Sequence, residues 1–295
     1  MKNLSPDLIK RLKKIKLVAT DLDGTLLNNS SQLSHATLEA IRKLKGAGLA
    51  VAIMTARAHC SAERIADQIG IASPIVSLDG GLVRKPHADI NIFASYINPA
   101  IVKRVISEAE RRVAGIALFA DDKLVHRESE VMIPSYVENL ELNPHECEDL
   151  YSFATRTIQI IVGADSKRAV NIIARKAAGF FNGVDIKFYR SSQYDDRWYL
   201  ELKNKRHSKA TGLAHLQKQF HVRRNEVVVL GDFRNDAAAF RRAGVSVAMK
   251  NAVWELKQEA DLITESTNDE DGAAEFFDLL LKLRTDHAQA GSARR

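Results

Sequence analysis

Ile15-Lys-Leu-Val-Ala-Thr-Asp-Leu-Asp-Gly-Thr25 joins an apolar run to a carboxylate-rich turn. Its first six residues form a short apolar run that stops at Asp21-Leu22-Asp23-Gly24-Thr25, where Gly24 can supply a turn. Upstream, residues 5–14 read as a short amphipathic helix with Ser5 as N-cap and Pro6 in its first turn. Downstream, Leu38, Ile41 and Leu44 recur at spacing three in a helix over 34–45 that Gly46 or Gly48 ends. A second apolar strand over 49–54, a helix over 61–69 and a third strand over 74–78 follow. Strands and helices alternating through such short connections imply parallel βαβ units, hence an α/β fold: an open, doubly wound parallel sheet with helices on both faces.

After Gly80-Gly81 the texture changes. Residues 86–199 mix β-like pieces (90–93, 116–119, 158–162, 186–189) with helices near 100–112 and 166–178, an α+β arrangement that reads as an inserted domain. The doubly wound pattern is expected to return with a strand over 199–202, followed by helix 209–219, strand 227–230, helix 236–243, strand 245–248, helix 253–260, strand 262–264 and helix 273–283. The expected organisation is therefore a discontinuous core, 1–84 and 200–285, an insert over 85–199, and a disordered tail over 286–295, which lacks apolar periodicity.

Composition agrees with two globular domains. The 295 residues match about two domains of roughly 150. With 45% apolar and 27% charged residues the chain is not of the disordered class. No apolar run approaches the roughly 18–20 residues that cross a bilayer, so no membrane partner is expected. Cys60 and Cys147 have neither metal-ligand nor redox spacing, and residues 1–16 hold no apolar signal core; a cytoplasmic protein with free thiols is expected. The net charge of +6 permits nucleic acid, acidic lipid or a phosphorylated substrate. The basic residues lie in scattered pairs such as Arg111-Arg112 and Arg223-Arg224, which favours a solvated surface over a nucleic-acid patch. No Gly-Lys-Ser/Thr phosphate loop is present, against a P-loop ATPase. Nothing in the sequence sets the oligomeric state.

Open parallel sheets place their sites at the C-terminal ends of the strands, where Asp21 stands. Extended residues two apart share a side, so Asp21 and Asp23 can face one ligand while Leu22 points into the fold. Carboxylates this close repel, so a divalent cation or a shared proton is expected, unless both aspartates merely bond turn amides. A calcium-loop reading fails, because Leu26 and Gln32 stand where such a loop needs Gly and Glu. Leu230-Gly-Asp232-Phe-Arg-Asn235-Asp236 is a second acidic cluster directly after an apolar strand. Together the two make a hard-oxygen site that suits Mg²⁺. Thr55, after the second strand, offers a hydroxyl and the Thr55–Ala56 segment helix-start amides for anionic oxygens, or serves as a plain N-cap. Lys209 opens a helix, where a cation is disfavoured unless it has acidic partners; on position alone an exposed lysine is preferred.

In order and context, Asp21-x-Asp23-Gly-Thr, Thr55, Lys209 and Gly231-Asp232-x-x-Asn235-Asp236 resemble the four motifs of the haloacid dehalogenase superfamily of phosphohydrolases. An insert between the Thr and Lys motifs is similar to the Cof-type branch with its large α/β cap. Residues 247–252, 260–264 and 271–272 also resemble that branch. The resemblance implies hydrolysis of phosphate monoesters of small metabolites, sugar phosphates or similar, with Asp21 as nucleophile and Asp23 as general acid and base. It implies Mg²⁺ on Asp21, the Asp23 carbonyl and Asp232. It further implies phosphoryl contacts from Lys209, Thr55, Asn235 and the amides of Leu22 and Ala56, with Asp236 orienting Lys209 or the metal's waters. A phosphomutase with the same chemistry and a non-catalytic phosphometabolite binder are the alternatives. Two departures stand out: Asp79-Gly80-Gly81 where relatives commonly carry Asn-Gly, and Lys209-Ala210 where they carry Lys-Gly. Asp79 adds a negative charge near the leaving group. Specificity is expected in the cap, where residues 188–199 offer stacking or simply form a hinge strand with core aromatics.

Overall fold

The computed structural model describes residues 4–127, 144–178, 183–190 and 197–292. Two compact units emerge, one comprising residues 1–56, 63–92 and 208–295, the other residues 57–62 and 93–207.

In the first unit, β1 (Leu17–Thr20) lies next to the edge strand of a five-stranded sheet. On one side it pairs in parallel with β2 (Ala50–Ile53), on the other with β12 (Val227–Gly231). Beyond β12 lie β13 (Val245–Ala248) and β14 (Leu262–Ile263), also parallel. Leu17, Val18 and Ala19 and all of 227–230 are wholly buried, as a sheet covered on both faces requires. Helix α2 (His35–Gly46) packs with α9 (Gly272–Ser292), and α6 (Lys209–Gln219) packs with α7 (Ala237–Arg242). The chain leaves β1 toward β2 and returns on the opposite side at β12, so the strand order reverses at β1. A crevice at such a switch point is where α/β sheets bind ligands. The register aligns Thr20 with both Ile53 and Leu230, which brings the loops after β1 and β12 together.

The second unit is built on a six-stranded sheet. In spatial order its strands are β10 (Val184–Arg190), β11 (Trp198–Asn204), β9 (Thr157–Ala164), β6 (Gly115–Ala120), β7 (Lys123–His126) and β8 (Pro144–Glu146). Helices α4 (Pro99–Glu110) and α5 (Lys167–Ala178) lie together, and Ile116, Leu118, Ile160, Val162, Leu200 and Leu202 join them in one core. The alternation of these residues along β6, β9 and β11 is that of strands with one face on helices.

This corrects one expectation. The run over 199–202 does not re-enter the parallel core: it lies in β11, antiparallel to both β9 and β10. A short apolar run gives no sign of which sheet accepts it. The return to the first unit falls at Ser208, not at residue 200. Helix α9 continues to Ser292 through most of the expected tail, whose last three residues lie outside the described set. Residues 191–196 of the aromatic segment also lie outside it. In the described part, Tyr189 and Tyr199 are cross-strand neighbours stacked at 5.5 Å. Both cysteines are free thiols. Among the described residues no helix is long and apolar enough to cross a membrane.

Candidate active site

The Asp21 backbone N–H donates to the Leu230 carbonyl at 3.1 Å, continuing the β1–β12 ladder one residue past the strand. The carboxylate is thereby held buried between two strand ends. Leu22 is wholly buried, as the alternation requires, and its N–H donates to Asp21 Oδ1 at 2.7 Å. Asp23 is exposed. Gly24 has φ +69°, and a Cβ there would stand 2.3 Å from Asp232 Oδ2. The glycine therefore serves both the left-handed turn and the close approach of Asp232. The Thr25 hydroxyl donates to Asp232 Oδ1 at 3.2 Å, and Asn251 Nδ2 donates to the Gly24 carbonyl at 2.8 Å. Gly24→Ala is expected to stay folded at a cost of about 1–2 kcal/mol from the left-handed backbone. It should also push Asp232 aside, so that divalent-cation binding measured by calorimetry weakens by roughly tenfold or more.

Lys209 overturns the exposed reading. It is wholly buried at the first turn of α6, with Nζ 2.8 Å from Asp21 Oδ2 and 2.6 Å from Asp236 Oδ1. These two carboxylates offset the unfavourable helix macrodipole. Asp236 is itself fixed: its Oδ2 accepts from the backbone N–H groups of Asp232 and Phe233, each at 3.1 Å. A Cβ at Gly231 would lie 2.4 Å from the Asp236 carboxyl carbon, so only glycine permits that approach. Asp236 therefore buttresses Lys209 and the loop rather than facing outward.

Thr55 is buried after β2, with its N–H on the Val76 carbonyl at 2.8 Å. The following helix, α3 (His59–Gln68), starts four residues later, so Thr55 is not its N-cap, and Ala56 is exposed in the connecting bend. Asn235 Nδ2 donates to Asp79 Oδ1 at 2.7 Å, while the Asp79 N–H donates to the Thr55 carbonyl at 2.9 Å. Sequence reasoning did not foresee this tie or the role of Asn251. The signal available for the first was the unusual Asp79 itself; for Asn251 it was the segment 247–252.

Burial pushes the Asp21 carboxyl up to about 8; the nearby Lys209 pulls it down and Asp236 raises it further. Asp232 is pushed up to about 6, by burial first and then by Asp236. Burial opposes the charge on Lys209, but Asp21, Asp236 and Asp79 more than offset it and hold the ammonium protonated. The raised carboxyls mark buried charges that Lys209 only partly offsets and to which Asp236 adds repulsion. Oxygens of Asp21, Asp232 and Asp236 lie within 4.8 Å of one another, and the donors are hard oxygens of the kind Mg²⁺ takes. Both oxygens of Asp236 and both of Asp21 already accept N–H donors, whereas Asp232 meets only the Thr25 hydroxyl, at Oδ1, so Asp232 is the carboxylate most open to a divalent cation.

The fold and the site define a doubly wound α/β enzyme core with an acidic, cation-ready centre at its topological switch point. The chain belongs to the haloacid dehalogenase-like hydrolases, whose family model matches residues 18–277. It is 28% identical over 265 residues to YitU of Bacillus subtilis, a 5-amino-6-(5-phospho-D-ribitylamino)uracil phosphatase, covering 88% of this chain and 96% of that one. It is 26% identical over 271 residues to a phosphoglycolate phosphatase of Archaeoglobus fulgidus, covering 92% and 99%. The fold is shared with a Thermotoga maritima crystal structure, with a TM-score of 0.78, 24% identity and coverage of 90% and 97%.

Proposed function

We propose that this hydrolase cleaves phosphate monoesters of small metabolites through an aspartyl-phosphate on Asp21. The observation that carries the reading is the wholly buried Lys209 bridging Asp21 and Asp236 where the strand order reverses. An Asp21 oxygen attacks phosphorus as the P–O bond to the alcohol breaks, and Asp23, exposed toward solvent, protonates the departing oxygen. Asp23 then takes a proton from water, whose oxygen attacks the same phosphorus, releasing inorganic phosphate and restoring Asp21. Lys209, Thr55, Asn235 and the amides of Leu22 and Ala56 are assigned to phosphoryl oxygens, and Asp236 to holding Lys209. A bound Mg²⁺, held by Asp21, Asp232 and the Asp23 carbonyl, supplies the neutralisation that lets a carboxylate and a phosphate dianion share one site. Residues 93–207 are read as the cap domain of this branch. The two relatives named above act on unlike alcohols, so substrate class is not inherited from them.

The test is phosphate release from an aryl phosphate and a panel of sugar and nucleotide monophosphates, with Mg²⁺ and with chelator. Release that stops on chelation and returns with Mg²⁺ supports the reading. An isomerised ester with little free phosphate would instead make the protein a mutase, and no turnover by folded protein would overturn catalysis. Asp232→Asn should raise the half-saturating Mg²⁺ at least about tenfold. Protons compete for the same carboxylates, which in the cation-free protein titrate at about 6 and about 8. Half-saturating Mg²⁺ should therefore fall as pH rises from about 5 to about 8.5. A flat profile would show that Asp21 and Asp232 are not the ligands.

A further inference from the structure

Leu78, Asp79 and Gly80 have φ of +49°, +55° and +94°, three left-handed residues in succession. Such a turn persists only where its surroundings over-determine it. Here the Asp79 N–H is tied to the Thr55 carbonyl at 2.9 Å, and a Cβ on Gly80 would fall 1.9 Å from the Ser208 carbonyl oxygen. The Asp79 side chain accepts from Asn235 Nδ2 at 2.7 Å. The turn thus touches all three segments that bear Thr55, Lys209 and Asn235, and its carboxylate is half-buried rather than enclosed. Its charge is felt by Lys209 together with those of Asp21 and Asp236.

Hydrolysis as read above gives Asp79 no chemical task. Asparagine would make the same hydrogen bond to Asn235 through its own Oδ1, and it tolerates a left-handed backbone equally well. What the carboxylate adds is a fixed negative charge beside the phosphoryl site. Asp21, Asp79, Asp232 and Asp236 already act on one ammonium there, and with all four ionised a divalent cation would still leave the group negative before substrate enters. We propose that Asp79 is a specificity-determining residue, selecting phosphate monoesters whose alcohol carries no second anion. This rests on the phosphatase reading and names its substrate class: esters of neutral polyols or of cationic alcohols, against carboxylated or bisphosphorylated ones.

Three esters on one two-carbon frame isolate the charge: phosphoglycolate, 2-hydroxyethyl phosphate and phosphoethanolamine. In the wild type, kcat/KM for the neutral and cationic esters should exceed that for phosphoglycolate by about tenfold or more, the scale of one extra charge contact in a partly desolvated site. Asp79→Asn should raise phosphoglycolate turnover selectively and bring the anionic and neutral esters within about threefold of each other, since only the charge term is removed. Asp79→Gly, which positive φ also accommodates, is a second charge-free variant should the first prove unstable. An unchanged ratio in the charge-free variant, or a wild-type preference for phosphoglycolate, overturns the proposal. Calorimetric dissociation constants for the same esters, on Asp21→Asn with and without Asp79→Asn, read the selection without turnover. Ordered binding with no hydrolysis by the wild type overturns the phosphatase reading alone; hydrolysis without the ordering overturns the Asp79 assignment alone.

Discussion

Asp21→Asn is expected to lower phosphate release by a factor on the order of 10⁴ or more, because no covalent intermediate can form on an amide. The protein should remain folded. The introduced side-chain amide keeps an acceptor for either the Leu22 N–H or Lys209, which the Asp21 oxygens meet at 2.7 and 2.8 Å, but it turns an NH₂ on the other. One donor facing a donor costs about 1–3 kcal/mol. A rate loss of about 10⁴ corresponds to about 5.5 kcal/mol. The two are separable by measuring urea unfolding beside steady-state phosphate release at a temperature where both proteins are folded. Asp21→Glu, which keeps the charge and displaces it by one methylene, should be nearly as inactive. Turnover within about tenfold of wild type in either variant would remove Asp21 as nucleophile.

Lys209→Met should have the second-largest effect, and it falls on stability as well as rate. Methionine fills much of the same buried volume but leaves Asp21 and Asp236 without the ammonium that now sits 2.8 and 2.6 Å from them. Breaking a buried ion pair from one side costs about 3–5 kcal/mol. The pH dependence follows from the raised Asp21 carboxyl. In the cation-free wild type it holds its proton up to about 8, whereas in the unfolded chain it loses it near the ordinary value of 3.8. The folded state binds the extra proton, so the Asp21 charge costs stability increasingly as pH climbs from about 4 toward 8. Lys209 limits that cost, and without it the Asp21 carboxyl rises further. The deficit of Lys209→Met relative to wild type should therefore be smallest near pH 5, where Asp21 is protonated in both proteins, and clearly larger near pH 9, above the value at which the wild-type carboxyl ionises while the variant's still holds its proton. Urea titrations at the two pH values without divalent cation measure it. A deficit that shrinks with rising pH would contradict the assigned pairing.

Legibility in the sequence differed from one site residue to the next. Asp21 and Asp232 were readable because each follows an apolar strand, and parallel strands put such residues at one end of the sheet. Lys209 was not: a lysine at a helix start looks exposed until two carboxylates from distant segments are seen to enclose it. Thr55 was placed correctly after its strand, but the bend over 56–58 delays the helix and withdraws the capping role. The tie from Asn235 to Asp79 left no local trace beyond an unexpected carboxylate, and the hold of Asn251 on the Gly24 carbonyl left none that periodicity reports.

The alternation of strands and helices, the insert, and the order of the acidic motifs are all legible in local pattern. These depend on side-chain periodicity and on turn residues, which act over a few positions. The sheet that receives residues 198–204, the enclosure of Lys209 and the contact of Asp79 with Asn235 emerge only once the chain is folded. Strand pairing and carboxylate–ammonium contacts join residues far apart in the chain. Their energies depend on burial and distance, which no local pattern encodes.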